Sequence, residues 1–179
     1  MAYMSEILTA APESFKSPLQ EKTYETLELL HIPFQRVETG EIVTMDDCIQ
    51  VNEKLDMKMV KTLFLCNRQK TGFYLFVTRG DKAFKSRDFD KALDVARVSF
   101  APVGLMEEML GTKVGAATVF SALVDREYKV RVVIDEEVAR EEWYGCSDGT
   151  TTGYMKVKTS LITHDLLNYA RHIPAIIKI

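Results

Sequence analysis

The stretch MVKTLFLCNRQKTGFYLFVTRGDKAFKSRDF, Met59 to Phe89, decides how the rest of the chain is read. Two apolar runs within it, VKTLFLC and FYLFVT, are rich in β-branched and aromatic residues, and the polar NRQKTG between them ends in Gly72. That composition predicts an antiparallel hairpin. Both runs are apolar at consecutive rather than alternate positions, so the two strands belong at the centre of a sheet covered on each face. Lys61 stands at the mouth of the first strand, with Gly80 and Asp81 at the end of the second. Strand ends are wet, and a solvated lysine beside a Gly-Asp turn is the ordinary reading of such positions.

Working outward, Ser17-Pro18 offers an N-cap and a first-turn proline for a helix whose Tyr24, Leu27 and Leu30 recur at helical spacing. PFQRVE, residues 33–38, alternates as a short strand, and Thr44 with Asp47 forms a capping pair for a helix running toward Leu55. After the hairpin, Ser86 is positioned to cap a helix through Leu93, and PVGLMEEMLG reads as a helix stopped by Gly111. AATVFSALVD and YKVRVVID read as a second hairpin-like pair around REY. GYMKVKTS supplies a further strand, and Thr163 is positioned to cap the last helix, with His164 as a surface residue in its first turn. This order lacks regular βαβ alternation, so the expected class is α/β with a mixed, largely antiparallel sheet.

With 179 residues, 46% hydrophobic and 27% charged, the composition fits a single domain over residues 1–179, residues 1–16 being the least tightly held. A net charge of −3 excludes bulk electrostatic attraction to nucleic acid, leaving only local patches. One such patch, Arg79, Lys82, Lys85 and Arg87, is offset by Asp81, Asp88 and Asp90. No apolar run is long enough to cross a bilayer, and the polar N-terminus is unlike a signal peptide, which leads to the expectation of a cytoplasmic protein without membrane contact. Cys48, Cys66 and Cys146 are odd in number and widely spaced, as are His31, His164 and His172, so the sequence offers neither a disulfide framework nor a zinc signature. No metal and no cofactor is expected.

The block from Val60 to Phe89 resembles the YbaK/ProX-type aminoacyl-tRNA deacylases, and most closely the freestanding PrdX-type prolyl-tRNA editing proteins. The likeness continues through VSFAPVGLMEEMLGTKVGAATVFSALVD and VRVVIDEEVAREEWYGCSDGTTTGYMKVKTSLITHDLL. It implies a barrel-like core with surrounding helices and hydrolysis of the ester joining a wrong amino acid to tRNA, typically alanine on proline tRNA. It also implies the tRNA acceptor end as partner, and prolyl-tRNA synthetase as a further one. By resemblance Lys61 is the family's essential lysine. Gly115, Ala116, Ala117, Thr118 and Val119 correspond to the G-x-x-x-P loop that presents backbone groups to the aminoacyl carbonyl.

Two departures accompany the likeness. Val119 stands where the family loop ends in proline, and Ser147 and Thr151 stand where relatives carry histidine and asparagine. Ser147, Thr151 and Thr152 offer pocket hydroxyls in one reading and a polar inter-strand turn in the other. Asp81 is a candidate substrate contact or a turn residue, and Gly115 a close-approach position or a tight turn. Hydrolysis of an activated ester needs a placed water and donors for the oxyanion, without an obligatory strong base. The scattered histidines provide no triad, and Cys66 and Cys146 read as buried and inert. The alternative to an enzyme is a non-catalytic member of the same fold that binds tRNA or an aminoacyl compound.

Overall fold

The computed structural model describes residues 3–179. Helix α1, Pro18–Leu29, opens on Ser17, whose hydroxyl accepts from the Gln20 amide at 3.1 Å. Strand β1, Gln35–Glu38, follows, and a 3-10 turn, Asp46–Cys48, leads into α2, Ile49–Leu55. Thr44 and Asp47 cap that turn reciprocally: the Thr44 hydroxyl donates to Asp47 at 2.7 Å, and the Asp47 amide donates back to it at 3.3 Å. The hairpin comprises β2, Val60–Asn67, and β3, Phe73–Arg79. Then come α3, Ser86–Leu93, β4, Val98–Phe100, and α4, Val103–Leu105, which continues as a π turn to Leu110 before Gly111 ends it. The chain closes with β5 (Val130–Asp135), α5 (Glu136–Ala139), β6 (Trp143–Ser147), β7 (Gly153–Lys158), a π turn (Leu161–Leu166) running into α6 (Leu167–Tyr169), and β8 (Ala175–Ile177).

Two sheets result, a five-stranded one ordered β4-β2-β3-β5-β8 and a three-stranded one ordered β1-β7-β6. The fold is mixed α/β as expected, with antiparallel pairing throughout the smaller sheet and in β4-β2-β3, and parallel pairing of β3 with β5 and of β5 with β8. One face of the larger sheet packs through Val77, Val132 and Ile134 onto Tyr144, Met155 and Val157 of the smaller sheet and Leu27 of α1. Its opposite face buries Leu65, Phe76 and Val133 under Phe89 of α3. The hairpin is thus covered on both faces, which is why its strands carry no polar alternation. The sheets meet at one parallel bridge, Met59 with Gly145, and do not close into a continuous barrel.

Three sequence expectations are corrected. Residues 119–123 form a 3-10 turn rather than a strand, with all five side chains buried and the Thr118 hydroxyl accepting from Phe120. A short buried run broken only by Ser121 fits a turn as well as a strand, and β5, left without a hairpin partner, pairs in parallel with β3. The final helical segment begins before Thr163, whose hydroxyl donates to the Thr159 carbonyl one turn earlier at 3.1 Å. Ser86 is the first residue of α3 and makes no capping bond. Within residues 3–16 the Ser5 and Leu8 amides donate to the carbonyls of Glu38 and Arg36, each at 2.8 Å, beside β1.

Candidate active site

A cavity of about 240 Å³ opens where the start of β2, the 42–48 segment, the end of β6 and the 115–117 loop converge. Its walls are mostly apolar, including Ile42, Val43, Met45, Met59, Val60 and Ala117, with the hydroxyls of Thr44, Thr62, Ser147 and Tyr154 and the thiols of Cys48 and Cys146 among them. Burial pushes the Cys48 thiol up to about 11, assisted by the neighbouring Asp47 charge. The same cause, with Asp148 adding to it, raises Cys146 further. Both thiols therefore stay protonated at neutral pH, and neither is a nucleophile. No histidine or carboxylate lines the cavity.

Lys61 and Gly115 both border this space. Their contributions differ. Lys61 pairs across the hairpin with Thr78, and Leu63 with Phe76, so strand alternation puts the Lys61 side chain on the face opposite Thr62. Its amine donates to the carbonyl of Lys82 in the loop that follows β3. Desolvation lowers the Lys61 pKa, and the nearby Asp81 charge partly opposes that. Lys82 in turn meets the fully buried Asp135 at 2.7 Å, and Asp135 also accepts from Thr78 at 2.7 Å. Lys61 is consequently the outermost member of a polar cluster that fixes the mouth of β2 to the 80–82 turn. Asp81 itself is exposed and paired with Arg79 at 2.7 Å, which holds its carboxyl below the usual range; it lines a neighbouring groove instead of the cavity.

Gly115 has φ of +89°, and a Cβ placed there would lie 3.3 Å from the Val43 backbone and 3.2 Å from its side chain. Close approach and a left-handed backbone both require glycine at this point. Among the described residues the Gly115 and Ala117 amides form no hydrogen bond, and with Gly115 exposed and Ala117 half-buried both are left to solvent or a ligand. Ala116, Thr118 and Val119 point inward: all three are fully buried, and the Thr118 hydroxyl donates to the Ser147 carbonyl at 2.8 Å, tying the loop to β6. Val119 packs into the main core, filling with an aliphatic side chain the position of the family proline.

Ser147 borders the cavity, but its hydroxyl accepts from the Gly149 amide at 3.0 Å and donates to the Thr150 carbonyl at 2.6 Å. Thr151 and Thr152 line a separate open depression, where Thr152 accepts from Lys16 at 2.6 Å. The structure thus brings together Lys61, Gly115, Ala117 and Ser147, and sets Asp81, Thr151 and Thr152 at its margins. The sequence reading missed Thr62, Tyr154 and the Ile42–Met45 wall. Thr62 was findable from the period-2 alternation of the strand, since it neighbours Lys61 on the other face; the 42–45 wall arrives through tertiary packing that no local pattern announces.

A family model for the aminoacyl-tRNA editing domain matches residues 39–163. The chain belongs to that family. The matched span contains every cavity-lining residue, from Ile42 to Tyr154. Among solved structures, the editing-domain chain is similar to the hypothetical protein APE2540, at 16% identity and a TM-score of 0.66, over 87% of this chain and 98% of that one. It is likewise similar to a candidate trans-editing enzyme for prolyl-tRNA synthetase, at 17% identity and a TM-score of 0.65, over 92% and 99% of the two chains. At these identities the likeness establishes the shared fold.

Proposed function

We propose that this editing domain is a trans-editing hydrolase that removes a small amino acid from mischarged tRNA, with alanine on proline tRNA as the leading substrate. The observation that carries the reading is the cavity of about 240 Å³, apolar and walled on one side by the Gly115 loop with its two unpartnered amides. This volume lies below the roughly 300–1,000 Å³ of drug-sized sites and suits a small aliphatic side chain. Water attacks the ester carbonyl, the Gly115 and Ala117 amides receive the developing oxyanion, and the C–O bond to the tRNA ribose breaks, returning a hydroxyl to the ribose and a carboxylate to the amino acid. Among the described residues no histidine or carboxylate lines the cavity, and the Lys61 amine is held on the Lys82 carbonyl, so in this scheme the terminal ribose hydroxyl orders the water.

Lys61 acts in this scheme as a positioning residue. Its amine, fixed on the Lys82 carbonyl, keeps the first turn of β2 in register with the 80–82 loop and places a positive charge beside the substrate entrance. Selection against proline in this scheme is steric, with Ile42 and Val43 as the wall its larger ring would meet. Shape alone gives about 10- to 200-fold discrimination per methylene, enough for a proofreading step that follows a synthetase. The working location is the cytoplasm, with aminoacyl-tRNA as substrate and prolyl-tRNA synthetase as the enzyme whose errors are corrected.

The engaged Ser147 hydroxyl favours one competing reading, a non-catalytic binder, because the position of the family histidine carries no free polar group. A panel of misacylated tRNAs separates the two. The hydrolase reading predicts release of alanine well above the spontaneous rate, reduced at least about 10-fold in Lys61→Ala with the loss mainly in kcat. Binding of tRNA with no release from any member of the panel establishes the binder instead.

A further inference from the structure

A groove of about 350 Å³ adjoins the cavity and shares Met45, Met59 and Val60 with it. Its far rim is Trp143, the sole tryptophan of the chain, with 38% of its surface exposed. Two lysines lie against the indole, Lys156 with its amine 4.5 Å from the ring centre and Lys158 at 5.8 Å. The pairing β6-β7 explains the arrangement: Trp143 is opposite Lys158, and Lys156 is the next residue along β7 on the same face. Among the described residues neither lysine forms an ion pair with a carboxylate; both stand beside the Trp143 rim, outside the groove lining, whose cations Lys58 and Arg79 are paired with Glu141, Asp81 and Glu137 and whose remaining charge is Asp46. In a chain of net charge −3, two uncompensated ammonium groups held over an exposed aromatic ring mark a local anion-binding surface.

We propose that this groove receives the single-stranded 3′ end of the tRNA, a terminal base lying against Trp143 while Lys156 and Lys158 meet the adjoining phosphates. An aromatic platform flanked by cations is the physical requirement for single-stranded nucleic acid, because bases stack without sequence preference and phosphates release counterions. The shared Met45-Met59-Val60 wall sets the esterified end at the cavity mouth. The inference deepens the hydrolase reading and rests on it, and the two fail separately.

Trp143 fluorescence reports on the groove directly. Titration with a deacylated acceptor-stem minihelix ending in an unpaired CCA is expected to change the emission saturably, with an affinity that falls as salt rises. Lys156→Glu with Lys158→Glu is expected to weaken binding at least 10-fold and flatten the salt dependence, and on alanyl-minihelix to raise KM while kcat stays within about twofold. Trp143→Phe, which preserves a stacking face, retains more affinity than Trp143→Ala; urea midpoints for all variants separate lost binding from lost folding. RNA that saturates the protein without altering the emission, or that binds the double variant as tightly as the parent, overturns the groove assignment even when alanine is released. An emission response to prolyl-tRNA synthetase with none to RNA overturns it too. RNA bound at Trp143 with no alanine released sustains the groove and refutes the hydrolase.

Discussion

At the scale of single residues, the account depends most on Gly115. Alanine there meets both a positive φ and the Val43 backbone, so Gly115→Ala is expected to cost about 1–2 kcal/mol of stability and to depress hydrolysis at least tenfold, read from urea midpoints and deacylation rates. Gly104→Ala, in α4 with no atom within 4 Å of the added carbon, serves as the control and should not destabilise. The buried thiols make a second prediction. In the unfolded chain Cys48 ionises near its ordinary 9.0, while in the fold it keeps its proton to about 11. The folded state therefore binds more protons in that window, and the contribution of Cys48 to stability is lost as pH rises from 9 to 11. Alkylation of native protein at pH 8 should be slow at Cys48 and Cys146 and fast in urea; prompt native labelling would contradict their assigned burial. Cys48, which follows Asp47, offers no local sign of its inertness, whereas that of Cys146 was legible from its sequence neighbours. The direction of the Lys61 amine was not, because it depends on where the Lys82 carbonyl falls after the second strand has turned.

Between residues and the whole fold, the loop joining β6 to β7 shows how one carboxylate organises an element. Asp148 is fully buried and accepts from Gln20 Nε2 at 2.9 Å, Tyr24 at 2.8 Å, the Thr150 amide at 3.1 Å and the Thr150 hydroxyl at 2.7 Å. It fastens the loop to α1 and thereby places Thr151, whose methyl would lie 3.6 Å from a Cβ at position 115, behind the cavity wall. Asp148→Ala strands these buried donors and is expected to cost about 3 kcal/mol. Tyr24→Phe on that background should add less than it does alone, a coupling readable from urea midpoints. The sequence showed a polar turn here and the strand GYMKVKTS after it, because turn residues and alternating runs are local signals, but not β6 before it. It did not separate the 119–123 turn from a strand, since five consecutive buried side chains present no period, and it gave no hint that α1 contributes Tyr24 to a loop 124 residues away.

For the molecule as a whole, the cavity exists because two sheets meet at one bridge, Met59 with Gly145, without closing, and the segments 42–48 and 115–117 fill the opening. The central hairpin and the mixed sheet followed from the sequence and its family resemblance; the parallel addition of β5 and β8 did not, because partner choice between strands is settled by packing rather than by composition. A site assembled from an apolar wall and backbone donors has a consequence that side-chain chemistry would not: it discriminates by size. The decisive measurement is the rate at which the purified protein deacylates Ala-tRNA(Pro) and Pro-tRNA(Pro) under one set of conditions. The account predicts alanine release at least about tenfold faster than proline release. Equal rates for the two esters, or no release of alanine above the buffer rate, would contradict it.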